Sequence, residues 1–165
     1  MPGKVDKNCD LVTPVTKITL ATSKDIDEVA RLFDLYRQFY EQDPDLTLAQ
    51  RYIGEQIANG SSVIFVAWGG EGEEHHAVGF TQLYSTFCSV EASPIWILYD
   101  LYVEEDTRGK GIGKSLMQQA HKMAAKSGAS RIDLETAFDN INAQALYESL
   151  GYEKDNEFYK YSLEL

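Results

Sequence analysis

The stretch Trp96–Gly128, WILYDLYVEEDTRGKGIGKSLMQQAHKMAAKSG, decides the reading of this chain. Its first part, with Tyr99, Tyr102 and Val103, is apolar and aromatic over about eight residues, which suits a strand. Arg108-Gly109-Lys110-Gly111-Ile112-Gly113-Lys114 follows as a glycine loop. Apolar residues then fall at Ile112, Leu116, Ala120, Met123 and Ala124, the spacing of one helix face. A helix start leaves backbone N–H groups without intrahelical acceptors, and the helix dipole favours negative charge there. Closely spaced glycines let an anion approach those groups without Cβ clashes. Strand, glycine loop and helix together read as a binding site for a phosphorylated ligand.

Composition sets the outer limits. The chain has 165 residues, with 44% hydrophobic and 25% charged, which suits one α/β domain with a substantial core. No apolar run approaches the roughly 18–20 residues that span a bilayer, and MPGKVDKNCD has no apolar core of a signal peptide. Cys9 and Cys88 are too far apart for a CxxC motif, so two reduced cysteines and a cytoplasmic location are expected. The net charge of −11 argues against nonspecific binding to nucleic acid or anionic membranes. Yet between Thr107 and Ile132 there is no Asp or Glu, while Arg108, Lys110, Lys114, Lys122, Lys126 and Arg131 all occur. Lys122 and Lys126 suit a helix C-terminus. Arg108, Lys110 and Lys114 are better explained by an anionic ligand.

Outward from the central stretch, residues 1–16 read as a loose N-terminal extension and residues 17–165 as one domain. Lys17–Ala21 is expected to be a strand. Ser23 with Asp25, Asp27 and Glu28 starts a helix whose apolar face is Ile26, Val29, Ala30, Phe33, Tyr36 and Tyr40. Asp43-Pro44-Asp45 stops it, and Thr47–Ala58 forms a second helix ended by Asn59-Gly60. Ser62–Trp68 and His76–Tyr84 form an antiparallel hairpin across the turn at 69–74. Ser85–Ser93 is expected to be a loop or strand end. Adjacent His75 and His76 would face opposite sides of a strand, so no metal site is expected. After Gly128, Arg131–Ala137 is a strand parallel to the one before the loop, through a right-handed crossover. Ile141–Leu150 is a short helix, and Tyr152 with Phe158–Leu163 has strand character.

Three glycine-loop patterns compete for Arg108–Lys114. A Walker A motif needs glycine where Arg108 stands. A dinucleotide fingerprint needs G-x-G-x-x-G, whereas this loop is G-x-G-x-G. The remaining pattern, Arg-x-x-Gly-x-Gly between strand and helix, resembles that of the GNAT superfamily of acyl-CoA-dependent N-acetyltransferases. Asn142-Ala143-Gln144-Ala145-Leu146-Tyr147-Glu148-Ser149-Leu150-Gly151-Tyr152 is similar to that family's closing N-x-x-A-x-x-x-Y-x-x-x-G-aromatic run. The similarity extends from about Lys17 to the C-terminus. It implies a central, mostly antiparallel sheet with one parallel βαβ pair and about four helices.

The resemblance also implies acetyl-CoA as co-substrate and no metal. By position, Arg108, Gly109, Lys110, Gly111, Ile112, Gly113 and Lys114 would hold the pyrophosphate. The backbone of Leu101, Tyr102 and Val103 would pair with the pantetheine arm. Asn142 would contact the cofactor, and Tyr147 would protonate the departing thiolate. Some polyamine-acetylating members carry an acid where this chain has Tyr99. Asp100 and Glu135, on adjoining expected strands, are therefore the acidic candidates for the general base. Glu41, Asp43 and Asp45 would suit a cationic acceptor. The expected acceptor is a primary amine of a small cationic molecule such as a polyamine, diamino acid or aminoglycoside. Alternatives are a peptide or protein amine, or a noncatalytic acyl-CoA sensor. The resemblance is also compatible with a homodimer.

Overall fold

The computed structural model describes residues 15–70 and 75–165. They fall into two compact units, one ending at Leu134 and the other spanning Glu135–Leu165. The first contains β1 (Val15–Leu20), α1 (Ile26–Phe39), α2 (Leu46–Asn59), β2 (Val63–Gly69), β3 (His76–Cys88), β4 (Ser93–Val103), α3 (Ile112–Lys126) and β5 (Ile132–Leu134). The second contains α4 (Ile141–Ser149). The five strands form one sheet in chain order, antiparallel from β1 to β4 and parallel between β4 and β5. This is the expected mixed α/β architecture. Among the described residues no helix is long and apolar enough to cross a membrane.

Local chemistry explains the element ends. The Asp25 carboxylate accepts from Thr22 N and Oγ1, both at 2.8 Å, which fixes the turn into α1. Asp45 caps α2 by accepting from Leu48 N at 2.9 Å, and Gly60 ends it in the left-handed region. α1 and α2 cover one face of the sheet. Their core residues Val29, Ala30, Leu32, Ala49 and Ile53 meet Ile64, Val66 and Phe80. Full burial of a side chain of this size contributes roughly 1.5–3 kcal/mol. Gly79, next to Phe80, points the other way, toward α3. A Cβ on Gly79 would stand 2.9 Å from Tyr102 O and 3.4 Å from Leu116 Cδ1, so glycine permits this close approach.

Several expected boundaries move. β1 starts at Val15, two residues before the strand expected from Lys17, and residues 1–14 lie outside those described. Residues 71–74 of the expected hairpin turn also lie outside them. β3 continues through Cys88 against β4, where a loop was expected from Ser85. β5 stops at Leu134 instead of reaching Ala137. The Ala137 carbonyl is taken by Asn140 N at 3.1 Å and Gln144 Nε2 at 3.1 Å, which turns the chain into α4. Phe158–Leu163 forms no strand. Its alternation of apolar residues describes a surface suited to a pleat; forming a strand also requires a neighbour to hydrogen-bond.

Candidate active site

β4 runs straight into the glycine loop. Glu104 N donates to Val78 O at 2.9 Å, and a single 3-10 turn, Glu105–Thr107, follows. Gly109 and Gly111 have φ of +75° and +80°. Nothing lies within 4 Å of a Cβ built on either, so backbone conformation, not crowding, calls for glycine. Gly111 begins α3 without a side-chain cap, leaving the first-turn N–H groups at Ile112, Gly113 and Lys114 without helical acceptors. Arg108 does not lean over this turn. Its Nε donates to Val103 O at 2.9 Å, and its guanidinium lies 5.6 Å from the Tyr102 ring and 5.9 Å from the Phe39 ring. Its own N–H donates to Glu105 O at 3.2 Å. Lys110 Nζ donates to Asp106 O at 3.0 Å, and Lys114 is exposed. Arg31 fixes the loop's base to α1 by bonding Glu104 at 2.5 Å, Glu28 at 3.2 Å and Ala77 O at 2.6 Å.

The sheet edge beside the loop is open. β5 pairs with β4 only from Trp96 to Leu98, while β4 continues through Tyr99–Val103. That stretch, containing Leu101, Tyr102 and Val103, has no strand beside it on the β5 side among the described residues. An extended ligand arm carrying amides can pair with such an edge as a further strand would.

On the α1/α2 face of the same strands lies a buried polar cluster. Asp100 is 8% exposed, and burial pushes its carboxyl up to about 6, partly opposed by the nearby Tyr36 hydroxyl. Its register partner across β3 is Gln82, which is fully buried. Gln82 Nε2 donates to Ser62 Oγ and to the Tyr84 hydroxyl, both at 2.8 Å. The Tyr84 hydroxyl is also bonded to that of Tyr52, and burial together with this partner holds the Tyr84 phenol well above its usual range. The Tyr36 hydroxyl donates to Tyr99 O at 3.2 Å. Rings line the surroundings: Tyr84 meets Tyr99 edge-on at 5.4 Å, Tyr36 meets Tyr40 edge-on at 5.1 Å, and Phe33 stacks on Tyr52 at 5.0 Å. An acid kept near neutral titration among aromatic walls is suited to exchanging a proton with an amine.

The remaining candidates are placed as follows. The Asp45 carboxylate is committed to capping α2, and Asp43 O accepts from Arg37 at 3.3 Å. Glu41 is exposed just beyond α1, with φ of +60°. In the second unit, Glu135 is exposed and pairs with Lys160 at 2.5 Å. Asn140 caps α4 by accepting from Ala143 N at 3.2 Å. Asn142 is exposed in the first turn, whereas Tyr147 is buried, its ring 6.0 Å from that of Tyr152. His75 stacks on Trp68 at 5.0 Å. Among the described residues, no group of three or more His, Cys, Asp or Glu is placed to hold a metal ion.

The sequence profile of the acetyltransferase (GNAT) family matches residues 27–152, which include all but the first residue of α1, the whole glycine loop and the closing α4 run. The chain belongs to the GNAT acetyltransferase family. Among curated relatives, it is 40% identical over 146 residues to an uncharacterized N-acetyltransferase, YhfO, of Bacillus subtilis (strain 168). That alignment covers 88% of this chain and 95% of the relative. A more distant one, aminoglycoside N(6')-acetyltransferase type 1 of Stenotrophomonas maltophilia, is 22% identical over 67% of this chain and 72% of its own. Among solved structures, a probable acetyltransferase superposes with a TM-score of 0.83 at 35% identity, covering 91% of this chain and 98% of that one. The protein is thus a GNAT-type acyltransferase, from a family that generally uses acetyl-CoA as co-substrate.

In this GNAT enzyme, sequence reading singled out the loop, the β4 edge and Asp100 as candidates, took Tyr36 as part of the α1 apolar face, and did not single out Gln82, Tyr52 or Tyr84. One signal was available. Thr81-Gln82 interrupts an otherwise apolar β3, and both side chains are fully buried. Thr81 is explained by its hydroxyl bonding Asp100 O at 2.9 Å. Gln82 is a buried polar group whose oxygen has no partner in the fold.

Proposed function

We propose that this protein transfers an acetyl group from acetyl-CoA to a primary amine of a small cationic acceptor by direct attack on the thioester. The observation that carries this reading is the buried carboxyl of Asp100, held at about 6 on the strand that leads into the glycine loop. The loop fits the co-substrate. The glycine loop Arg108–Lys114, with uncapped N–H groups at Ile112, Gly113 and Lys114, suits a pyrophosphate, and the β4 edge at Leu101–Val103 suits the amide-bearing arm. Asn142 would add a contact to the co-substrate.

When bound, acetyl-CoA supplies an electrophilic thioester carbonyl. An alkylamine with a pKa of about 10 arrives mostly protonated. The ammonium sheds one proton to solvent before its lone pair can attack, and a second as the N–C bond forms. Asp100, as carboxylate, accepts that second proton, directly or through water. The N–H grows more acidic as the N–C bond forms, so a base near 6 is adequate for this transfer. A backbone N–H on the open β4 edge would donate to the oxygen that gathers charge. The C–S bond breaks as the N–C bond forms, and the departing thiolate takes its proton from Tyr147. Glu135 stands as an alternative base. The distant relative named as an aminoglycoside N(6')-acetyltransferase supports a small polycationic acceptor. Rival readings are a peptide or protein amine, and binding of acyl-CoA without turnover.

The test mixes the protein with acetyl-CoA and a panel of polyamines, diamino acids, aminoglycosides and lysine peptides while free thiol is measured. Thiol release driven by a small cationic amine is expected. Release only with peptides would move the acceptor to that class. Binding of acetyl-CoA without release on any amine would make the protein a sensor.

A further inference from the structure

Gln82 Oε1 is the side-chain polar atom that, among the described residues, is buried without a hydrogen-bond partner. Leaving such an acceptor unsatisfied forfeits its hydrogen bond to water, so an apolar residue would fill this place with less penalty. The amide is not idle, because its nitrogen is fixed by Ser62 and Tyr84. The unmet requirement is therefore for a donor to its oxygen.

The neighbour across the sheet sharpens that requirement. Gln82 and Asp100 are Cα partners in the β3/β4 register, so their side chains leave the same face. Directly opposed Cβ atoms lie about 4.5–5.5 Å apart. Ionised Asp100 is acceptor-only, and Gln82 Oε1 is a second acceptor on the same sheet face, from the register partner. A carboxylate or phosphate ligand has no proton to offer two acceptors, and an alcohol has one. A primary ammonium has three, and its charge suits the carboxylate. The titratable groups around the pair are phenols: Tyr36 from α1, Tyr52 from α2, Tyr84 from β3, and Tyr99 and Tyr102 from β4. Their rings are compatible with a cation.

We propose that Gln82 and Asp100 form the acceptor subsite, Gln82 Oε1 taking one N–H of a primary alkylammonium while Asp100 takes another. This rests on the acetyltransferase reading and deepens it. Asp100 removes a proton, and Gln82 orients the nitrogen that remains. Gln82 is thus assigned as a residue that determines acceptor specificity.

The probe is n-butylammonium, titrated by calorimetry into the full chain at neutral pH with CoA present, and n-butanol and n-butyrate serve as controls. Wild type should bind butylammonium and neither control. Gln82→Leu should weaken binding by about tenfold or more, the loss of one hydrogen bond to a charged group. Gln82→Glu, which keeps an acceptor oxygen, should retain it. Thermal unfolding checks that each variant folds, and Gln82→Met replaces the Leu variant if that one does not. In turnover assays the amine KM should rise in Gln82→Leu while the acetyl-CoA KM stays unchanged. Undiminished binding or amine KM in a folded Leu or Met variant would overturn the subsite. So would wild type that binds butyrate equally well or butylammonium not at all. Selective binding without thiol release would keep the subsite and sink the catalytic reading.

Discussion

On the proposed reading, the glycine loop and the β3/β4 polar cluster differ in what does the recognising. In the loop the backbone offers the binding groups, and side chains matter mainly by being absent. In the cluster the side chains offer everything, brought together from α1, α2, β3 and β4. Gly109 and Gly111 stand in open space, where the conformation alone demands glycine. Gln82 and Asp100 stand at 0% and 8% exposure, where each atom must be matched. A phosphate-bearing co-substrate common to a whole family suits the first design. An acceptor that differs among members suits the second, because side chains can change without altering the chain path.

The largest effect should come from an isosteric change in the cluster. Asp100→Asn keeps the shape and removes the base, so kcat/KM for the amine should fall by about 10²–10⁴-fold. In wild type, rate should rise with pH through about 6 as the carboxyl ionises, and that limb should vanish in the variant. Stability should move the other way. The folded pKa of Asp100 is raised from 3.8 to about 6, so the folded state holds the proton more tightly than the unfolded one. The carboxyl's unfavourable contribution grows as pH rises through this window and persists above it. At neutral pH, Asp100→Asn should therefore stabilise the fold by about 2–3 kcal/mol, measured by urea unfolding. A variant that is more stable but no slower would show that Asp100 is an ordinary buried acid.

The loop should respond to bulk in place of charge. Gly111→Val forces a β-branched residue to φ of +80°, at a cost of about 1–2 kcal/mol or more. The acetyl-CoA KM should rise by about tenfold or more, with little change in the dissociation constant of butylammonium. An unchanged acetyl-CoA KM would mean that the loop's conformation is not what holds the co-substrate. Equal losses for both ligands would mean that the two regions do not work separately.

The same contrast explains what could be read from sequence. A backbone site has to write itself locally, as glycines at fixed offsets between a strand and a helix. Arg108 through Gly113, Asn59-Gly60 and the α3 stripe were legible for that reason. The cluster has no local pattern, since Tyr36, Tyr52, Gln82 and Asp100 converge only after the register of β3 on β4 is set. Asp100 was singled out only through the family resemblance at Tyr99 and its place on a strand adjoining that of Glu135. Strand ends were less legible where pairing decides them. β3 passes Tyr84 because β4 is there to bond, and Phe158–Leu163 alternates without becoming a strand. β5 ends at Leu134, and by Ala137 the chain carbonyl is already claimed by the turn into α4.

The smallest effect should come from the feature most conspicuous in the sequence, the basic island. Lys110 and Lys114 are exposed, and Lys110 already donates to Asp106 O. Exposed charges contribute only about 0–1 kcal/mol each and are screened by salt. Lys110→Ala and Lys114→Ala should each raise the acetyl-CoA KM by about two- to fivefold at low salt, and by less as salt is added. Wild-type KM should climb toward the variants' value over the same range. Such a salt-sensitive minor share leaves the main affinity with the uncapped N–H groups of α3. If the double variant instead lost as much as Gly111→Val, side-chain charge would be the anchor. The loop would then resemble the cluster in kind, and the glycines would serve only to turn the chain.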